Sequence, residues 1–154
     1  MRGDGLRLLA DVMLGRLTKW LRLLGYDTEY ENDAEDVDLA RRARAEGRIL
    51  LTRDRELAGR TGLQTLFVES EVLEEQVRQV RESLGPPPDP TLSRCSVCNV
   101  QLELADRDRV TGRVPAYILR TQQQFRICPG CERVYWRGTH LEKMEQMLDG
   151  FFSD

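Results

Sequence analysis

The stretch LLADVMLGRLTKWLRLLGYDT, residues 8–28, decides the fold. The run LRLLAD that leads into it is apolar enough for a buried strand, and it surfaces on a carboxylate, Asp11. Leu14, Leu17, Leu21 and Leu24 then recur at helical spacing, and Gly25 suits the left-handed cap that ends such a helix. Two readings of Asp11 stand side by side: the cap of the helix that follows, or the first ligand of a metal site.

Outward from this stretch the alternation continues. TEY reads as a short strand, and DVDLARRARAEG as a helix opened by acidic residues and closed by Gly47. RILLT is a second apolar strand, followed by a short helix over residues 55–60 and a strand TLFVE. A helix with Leu73, Val77, Val80 and Leu84 on one face comes next, with Ser70 as its expected cap. Strands alternating with helices predict an α/β domain with a largely parallel sheet.

GPPPDPTLS, residues 85–93, holds four prolines, which exclude both helix and central strand and predict a stiff linker. The expected division is therefore an α/β unit over 1–84, a linker over 85–93 and a small module over 94–154 that contains every cysteine. In that module VPAYILR, QFRIC and RVYW read as short strands. The chain closes with a helix opened by the capping box of Thr139 and Glu142, with Leu141, Met144, Leu148 and Phe151 on its apolar face.

Composition bounds the function. The net charge of −3 does not mark a generic polyanion binder, and it is uneven. Residues 1–90 carry 14 Lys/Arg against 18 Asp/Glu, and residues 91–154 carry 9 against 8, so an acidic cluster belongs to the first part. No apolar run approaches the ~20 residues that span a bilayer, and the N-terminus lacks the pattern of a signal peptide. A cytoplasmic protein is expected, with no membrane partner, and in that reducing compartment paired cysteines signal metal more often than disulfide.

CSVC (Cys95, Cys98) and CPGC (Cys128, Cys131) are two C-x-x-C knuckles separated by 29 residues. Each turns tightly enough to aim two sulfurs at one point, and together they supply the four thiolates that zinc prefers. Four thiolates fill the coordination sphere, so this zinc is expected to be structural. His140, the only histidine, lies inside the capping box and reads as a helix-start residue, which argues against Ser-His or Cys-His catalysis.

Functional groups of a parallel α/β sheet gather outside the carboxyl ends of its strands. Asp11 ends the first strand, Asp54 follows RILLT and Glu69 ends TLFVE, while Asp36 and Asp38 open a helix that a short loop brings to the same edge. Carboxylates converging without a cation repel one another unless a divalent ion joins them, a pattern suited to Mg²⁺ or Mn²⁺ and an activated water. The competing reading is that Asp11 and Asp54 cap helices, Asp36 and Asp38 complement a helix dipole, and Glu56 and Glu69 are solvated. Arg16, Lys19 and Arg22 fall within about a third of the first helix's circumference, and Arg53 and Arg55 flank Asp54; either set suits backbone phosphates or a solvated face.

Taken in order, DVMLGRLTKWLRLLGYDT, DVDLARRARAEGRILLTRD, RCSVCN and CPGCERVYWRGTH resemble the mut-seven C-terminal ribonuclease family, regarded as a PIN-like nuclease domain fused to a zinc ribbon. The resemblance runs from Leu8 to His140. It implies metal-dependent cleavage of RNA, and single-stranded RNA is the expected partner. It places Asp11, Asp36 and Asp54 as core Mg²⁺ or Mn²⁺ ligands, Asp38 and Glu56 in support, and the four cysteines on zinc. Glu56 stands where related domains often have aspartate, and Asp38 where glutamate is common. Arg16, Lys19 and Arg53 would then hold phosphates, and Tyr135, Trp136 and Arg137 would either contact RNA or pack the ribbon core. A non-catalytic RNA-binding or adaptor module is the alternative; a small-molecule phosphohydrolase lacks both a D-x-D pair after the first strand and a glycine-rich phosphate loop.

Overall fold

The computed structural model describes residues 5–152, with side chains as far as Leu148. Residues 1–4 and the side chain of Phe151, expected on the last helix's apolar face, lie outside the described residues. Strands β1 (Arg7–Ala10), β2 (Asp27–Tyr30), β3 (Ile49–Thr52) and β4 (Thr65–Phe67) form one sheet in the order β2-β1-β3-β4, and every pairing is parallel. The connections are α1 (Gly15–Leu24), α2 (Asp36–Glu46) and α3 (Arg55–Ala58); α4 (Leu73–Leu84) follows β4.

Strand alternation fixes the layers. Leu8, Ala10 and Leu51 face a core shared with Leu17 and Leu21 of α1 and Val77 and Val80 of α4. Leu9 and Leu50, one residue out of phase, face Leu39 and Ala43 of α2 and Leu57 of α3. A period-2 pattern that is apolar on both faces is what a sheet covered on both sides requires. Gly25 ends α1 at φ 109°, and a Cβ there would lie 2.0 Å from the carbonyl oxygen of Asp89. The proline-rich segment crosses that spot: the Asp89 and Leu92 amides donate to the carbonyls of Gly25 (3.2 Å) and Leu23 (2.8 Å).

After this segment come β5 (Glu103–Ala105), α5 (Arg107–Val110), α6 (Ala116–Thr121), β6 (Phe125–Ile127), β7 (Val134–Tyr135) and α7 (Thr139–Phe152). β5, β6 and β7 form a second, antiparallel sheet. Leu141, Met144 and Leu148 of α7 join the core of α1 and α4.

Three local expectations are corrected. VPAYILR is not a strand: its centre is α6, opened by Pro115 at φ −59°. Proline is preset for a helix start, and Val114 and Ile118, four residues apart, turn to one small core with Phe125. Ser70 is not the cap of α4, whose N-cap is Val72; its hydroxyl instead accepts from the Val72 amide at 2.9 Å. Thr139 is the first helical residue of α7 rather than its cap, and the Gly138 carbonyl accepts the Glu142 amide at 3.1 Å.

Candidate active site and cysteine centre

The strand order places a switch point between β1 and β3, because the chain runs outward to β2 from one side and to β4 from the other. Open parallel sheets bind ligands outside the carboxyl ends of the strands at such a point. Asp11 stands there at the end of β1, with its amide bonded to the Leu51 carbonyl of β3 at 2.9 Å. It is 4% exposed, and its Oδ2 accepts from the Thr52 hydroxyl at 2.7 Å. The same hydroxyl oxygen accepts the Asp54 amide at 3.0 Å. Thr52 therefore clips the ends of β1 and β3 together and fixes both aspartates.

Asp11 precedes a 3-10 turn (Val12–Leu14) but makes no side-chain cap bond to it. Its carboxylate is free of the capping role, and among the described residues it forms no ion pair. Asp54 is different: Oδ1 accepts the amides of Glu56 (2.9 Å) and Leu57 (3.2 Å), so it caps α3. That leaves its second oxygen for other partners.

Asp36 is half-buried at the start of α2, which follows β2 and so opens at the same edge of the sheet. Asp38 is exposed and pairs with Arg41 at 3.2 Å. Glu56 and Glu69 are exposed. Arg16 and Lys19 are exposed on α1, but Arg22 is turned inward and is no part of a basic stripe. Arg53 is half-buried, reaching the Glu69 carbonyl at 3.4 Å, and its Nε is buried with no hydrogen-bond partner among the described residues. Arg55 stacks over Phe67, 4.3 Å from the ring centre.

The carboxylates line one edge without closing on one another. Among the described residues, the four cysteines are the one group of three or more metal-ligating side chains whose ligand atoms all lie within 4.8 Å. The sulfurs of Cys95 and Cys131 are 3.7 Å apart. That matches the edge of a tetrahedron built on Zn–S bonds of ~2.3 Å, about 3.8 Å.

Both knuckles repeat one backbone pattern. Cys95 Sγ accepts from the amides of Val97 and Cys98, and Cys128 Sγ from those of Gly130 and Cys131, all at 3.3–3.4 Å. Asn99 and Glu132, each just past its knuckle, both adopt φ 67°. Burial opposes ionisation of Cys95, but the Tyr135 hydroxyl and the knuckle amides outweigh it and bring the thiol down to about 7. Burial and the neighbouring sulfurs push Cys98 up to about 12. Four sulfurs this close cannot all ionise alone; a divalent cation removes the conflict, so the donor set fits zinc.

Tyr135 is thereby assigned to the knuckle: its hydroxyl lies 3.1 Å from Cys95 Sγ and accepts the Ser96 amide at 3.0 Å. His140 is exposed and stands outside the cluster. The first knuckle is also held to the parallel sheet. Arg22 donates to the carbonyls of Thr28 (2.7 Å), Ser96 (3.0 Å) and Val97 (3.1 Å), and Asn99 accepts the Thr28 amide (3.1 Å) while donating to Asp27 and Glu29.

A family model described as the Mut7-C RNAse domain matches residues 6–148, spanning the parallel sheet and all four cysteines. The chain belongs to the Mut7-C RNAse domain family. No curated protein and no solved structure matches it. Membership gives this Mut7-C chain a nuclease-type function in general terms, and its four-cysteine cluster could hold zinc. No helix among the described residues is long and apolar enough to cross a membrane.

Thr52 and Asn99 have no expected role in the sequence pattern, and Arg22, expected on a basic stripe, is instead buried against the first knuckle. Thr52 carried a usable signal, as a small hydroxyl at the end of an apolar strand directly before an arginine and an aspartate.

Proposed function

We propose that this Mut7-C chain is a metal-dependent ribonuclease that hydrolyses phosphodiester bonds of single-stranded RNA. The observation that carries this reading is the Asp11–Thr52–Asp54 linkage at the switch point, with Asp11 buried yet, among the described residues, free of a capping bond or ion pair. Burying a carboxylate removes its water partners, and a divalent ion held there would replace them. Asp11, Asp36 and Asp54 would hold Mg²⁺ or Mn²⁺, which when bound supplies a Lewis acid and lowers the pKa of a water. Asp38 and Glu56 orient water or assist from the rim. Arg16, Lys19 and Arg53 take the phosphates of the cut strand. Zinc on Cys95, Cys98, Cys128 and Cys131 is structural, since four thiolates leave no open position.

In this reading residues 1–84 are the PIN-like catalytic unit, 85–93 the connection, and 94–154 the zinc ribbon with its helix. A reducing cytoplasm, where the thiols stay free for metal, is the compartment it fits.

The test is cleavage of single-stranded RNA with Mg²⁺ or Mn²⁺ by the parent chain and by folded Asp11→Asn and Asp54→Asn variants. Both variants should lose activity by ~10²-fold or more, the scale of removing one electrostatic contributor to a transition state. Asparagine at 54 still accepts the two α3 amides, so the helix should survive the change. RNA bound but uncut with either metal would remove this reading and leave the adaptor reading, which the capping role of Asp54 favours.

A further inference from the structure

A groove of about 1230 Å³ lies between α1 and the cysteine-bearing part of the chain. Lys19, Trp20 and Leu23 form one wall; α6, β7 and the start of α7 form the other. We infer that this groove is the seat of a single-stranded RNA segment feeding the carboxylate edge, an inference that rests on the ribonuclease reading above.

Four properties point to this ligand. The volume exceeds the ~300–1,000 Å³ of small-molecule sites, which suits a polymer. Its lining carries Lys19, Arg113, Arg133 and Arg137 against Glu132 and Glu142, and with Glu145 paired to Arg137 the local excess is one positive charge in a chain whose net charge is −3. Lys19 and Arg133 are exposed and, among the described residues, form no ion pair, so both are free for phosphates. Arg113 and Arg137 are instead held in place by Glu132 and Glu145.

Aromatic rings supply the fourth property. Both tryptophans of the chain, Trp20 and Trp136, line the groove, and Tyr117 stands 59% exposed on its wall. Bases stack on such rings whatever their identity, while cations follow the backbone. A duplex hides its base faces and cannot use them, so the arrangement selects single strands.

The groove also has a direction. Arg16 is exposed one helical turn nearer the start of α1 than Lys19, about 5 Å along the axis. Asp11 lies just before that helix start. A strand seated against Tyr117 and Arg133 passes Lys19 and then Arg16 on its way to the carboxylates.

The test measures binding of a labelled single-stranded RNA of about 12 nucleotides, within the usual ~4–16 nucleotide site, by fluorescence anisotropy. Asp11→Asn protein serves as the parent, so that the probe survives. Tyr117→Ala and Arg133→Ala, both surface changes, should each weaken binding about tenfold. Arg133→Ala should also flatten the salt dependence by ~0.7 in log–log slope. A duplex of the same sequence should bind more weakly, and poly-glutamate should compete poorly. Unchanged affinity in both variants, a duplex that binds as tightly, or poly-glutamate that competes equally would each overturn the groove assignment. Cleavage by the unsubstituted chain is scored separately: loss of binding in the variants without any cleavage keeps the groove and removes the ribonuclease reading, and the converse removes the groove alone.

Discussion

The cysteine centre and the carboxylate edge are built in opposite ways. Each pair of thiols is set by one tight turn whose amides point at the first sulfur, so only two pieces must meet to close a tetrahedron. The aspartates come one at a time from the ends of β1 and β3 and the start of α2, and the spacing of parallel strands, ~4.8 Å, sets how near they come. Local geometry makes a closed centre suited to holding a fold. Topology makes an open one, on which the carboxylates stand apart along the ends of the strands.

Metal removal is the sharpest way to break the comparison. Stripping zinc with a chelator, or Cys128→Ser, should unfold the region around the knuckles, because structural zinc sites contribute ~10 kcal/mol or more in small zinc-dependent folds. Elemental analysis should find one zinc per chain before treatment, and thermal melts should shift or split after it. Withholding Mg²⁺ or Mn²⁺ should instead stop cleavage and leave the melt nearly unchanged. Equal loss of structure in both treatments would erase the distinction.

A smaller effect belongs to Thr52, which is fully buried and donates to Asp11 while accepting from Asp54. Thr52→Val keeps the shape and deletes the hydroxyl, leaving the buried Asp11 carboxylate and the half-buried Asp54 amide each short of a partner, at ~1–3 kcal/mol for the buried group. Cleavage should fall about tenfold with KM little changed, and Thr52→Ser should restore it; a valine variant with full kcat would show that the clip positions nothing.

The smallest effect is pH-dependent and lies at the amino end of β2, where Asn99 of the first knuckle bonds to Asp27. Burial works against ionisation of Asp27, but Asn99 and Arg48, helped by Arg94, hold its carboxyl below the usual carboxylate range. A depressed carboxyl stabilises the fold above its unfolded pKa of ~3.9 and loses that contribution as pH falls through the folded value. Melting temperatures followed downward from about pH 5 should drop more steeply for the parent than for Asp27→Asn; parallel curves would refute the coupling.

Much of this was legible in the sequence. LRLLAD and RILLTRD announced buried strands ending on carboxylates, and two C-x-x-C turns announced the sulfur cluster, because those signals are local. α6 was hidden because Val, Tyr, Ile and Leu in VPAYILR suit strands as well as helices, and only the proline start and the Val114–Ile118 spacing argued otherwise. Arg22 looked like one more exposed base by periodicity; its burial depends on carbonyls 74 and 75 residues away. Asn99 was equally silent, since its partners on β2 lie 70–72 residues back. Which carboxylates share a cation is likewise a matter of tertiary distance, and spacing along the chain does not encode it.

The grip of Arg22 and Asn99 on Thr28 has a consequence for how the molecule keeps to itself. β2 is an outer strand of the parallel sheet, and an outer strand offers its unpaired amides and carbonyls as a template on which another chain can add. Here the Thr28 amide and carbonyl are already taken, one by the Asn99 side chain and the other by Arg22. The first cysteine knuckle thus acts as an edge guard, and a chain cut before residue 94 would expose that strand to strand-by-strand association with its own copies.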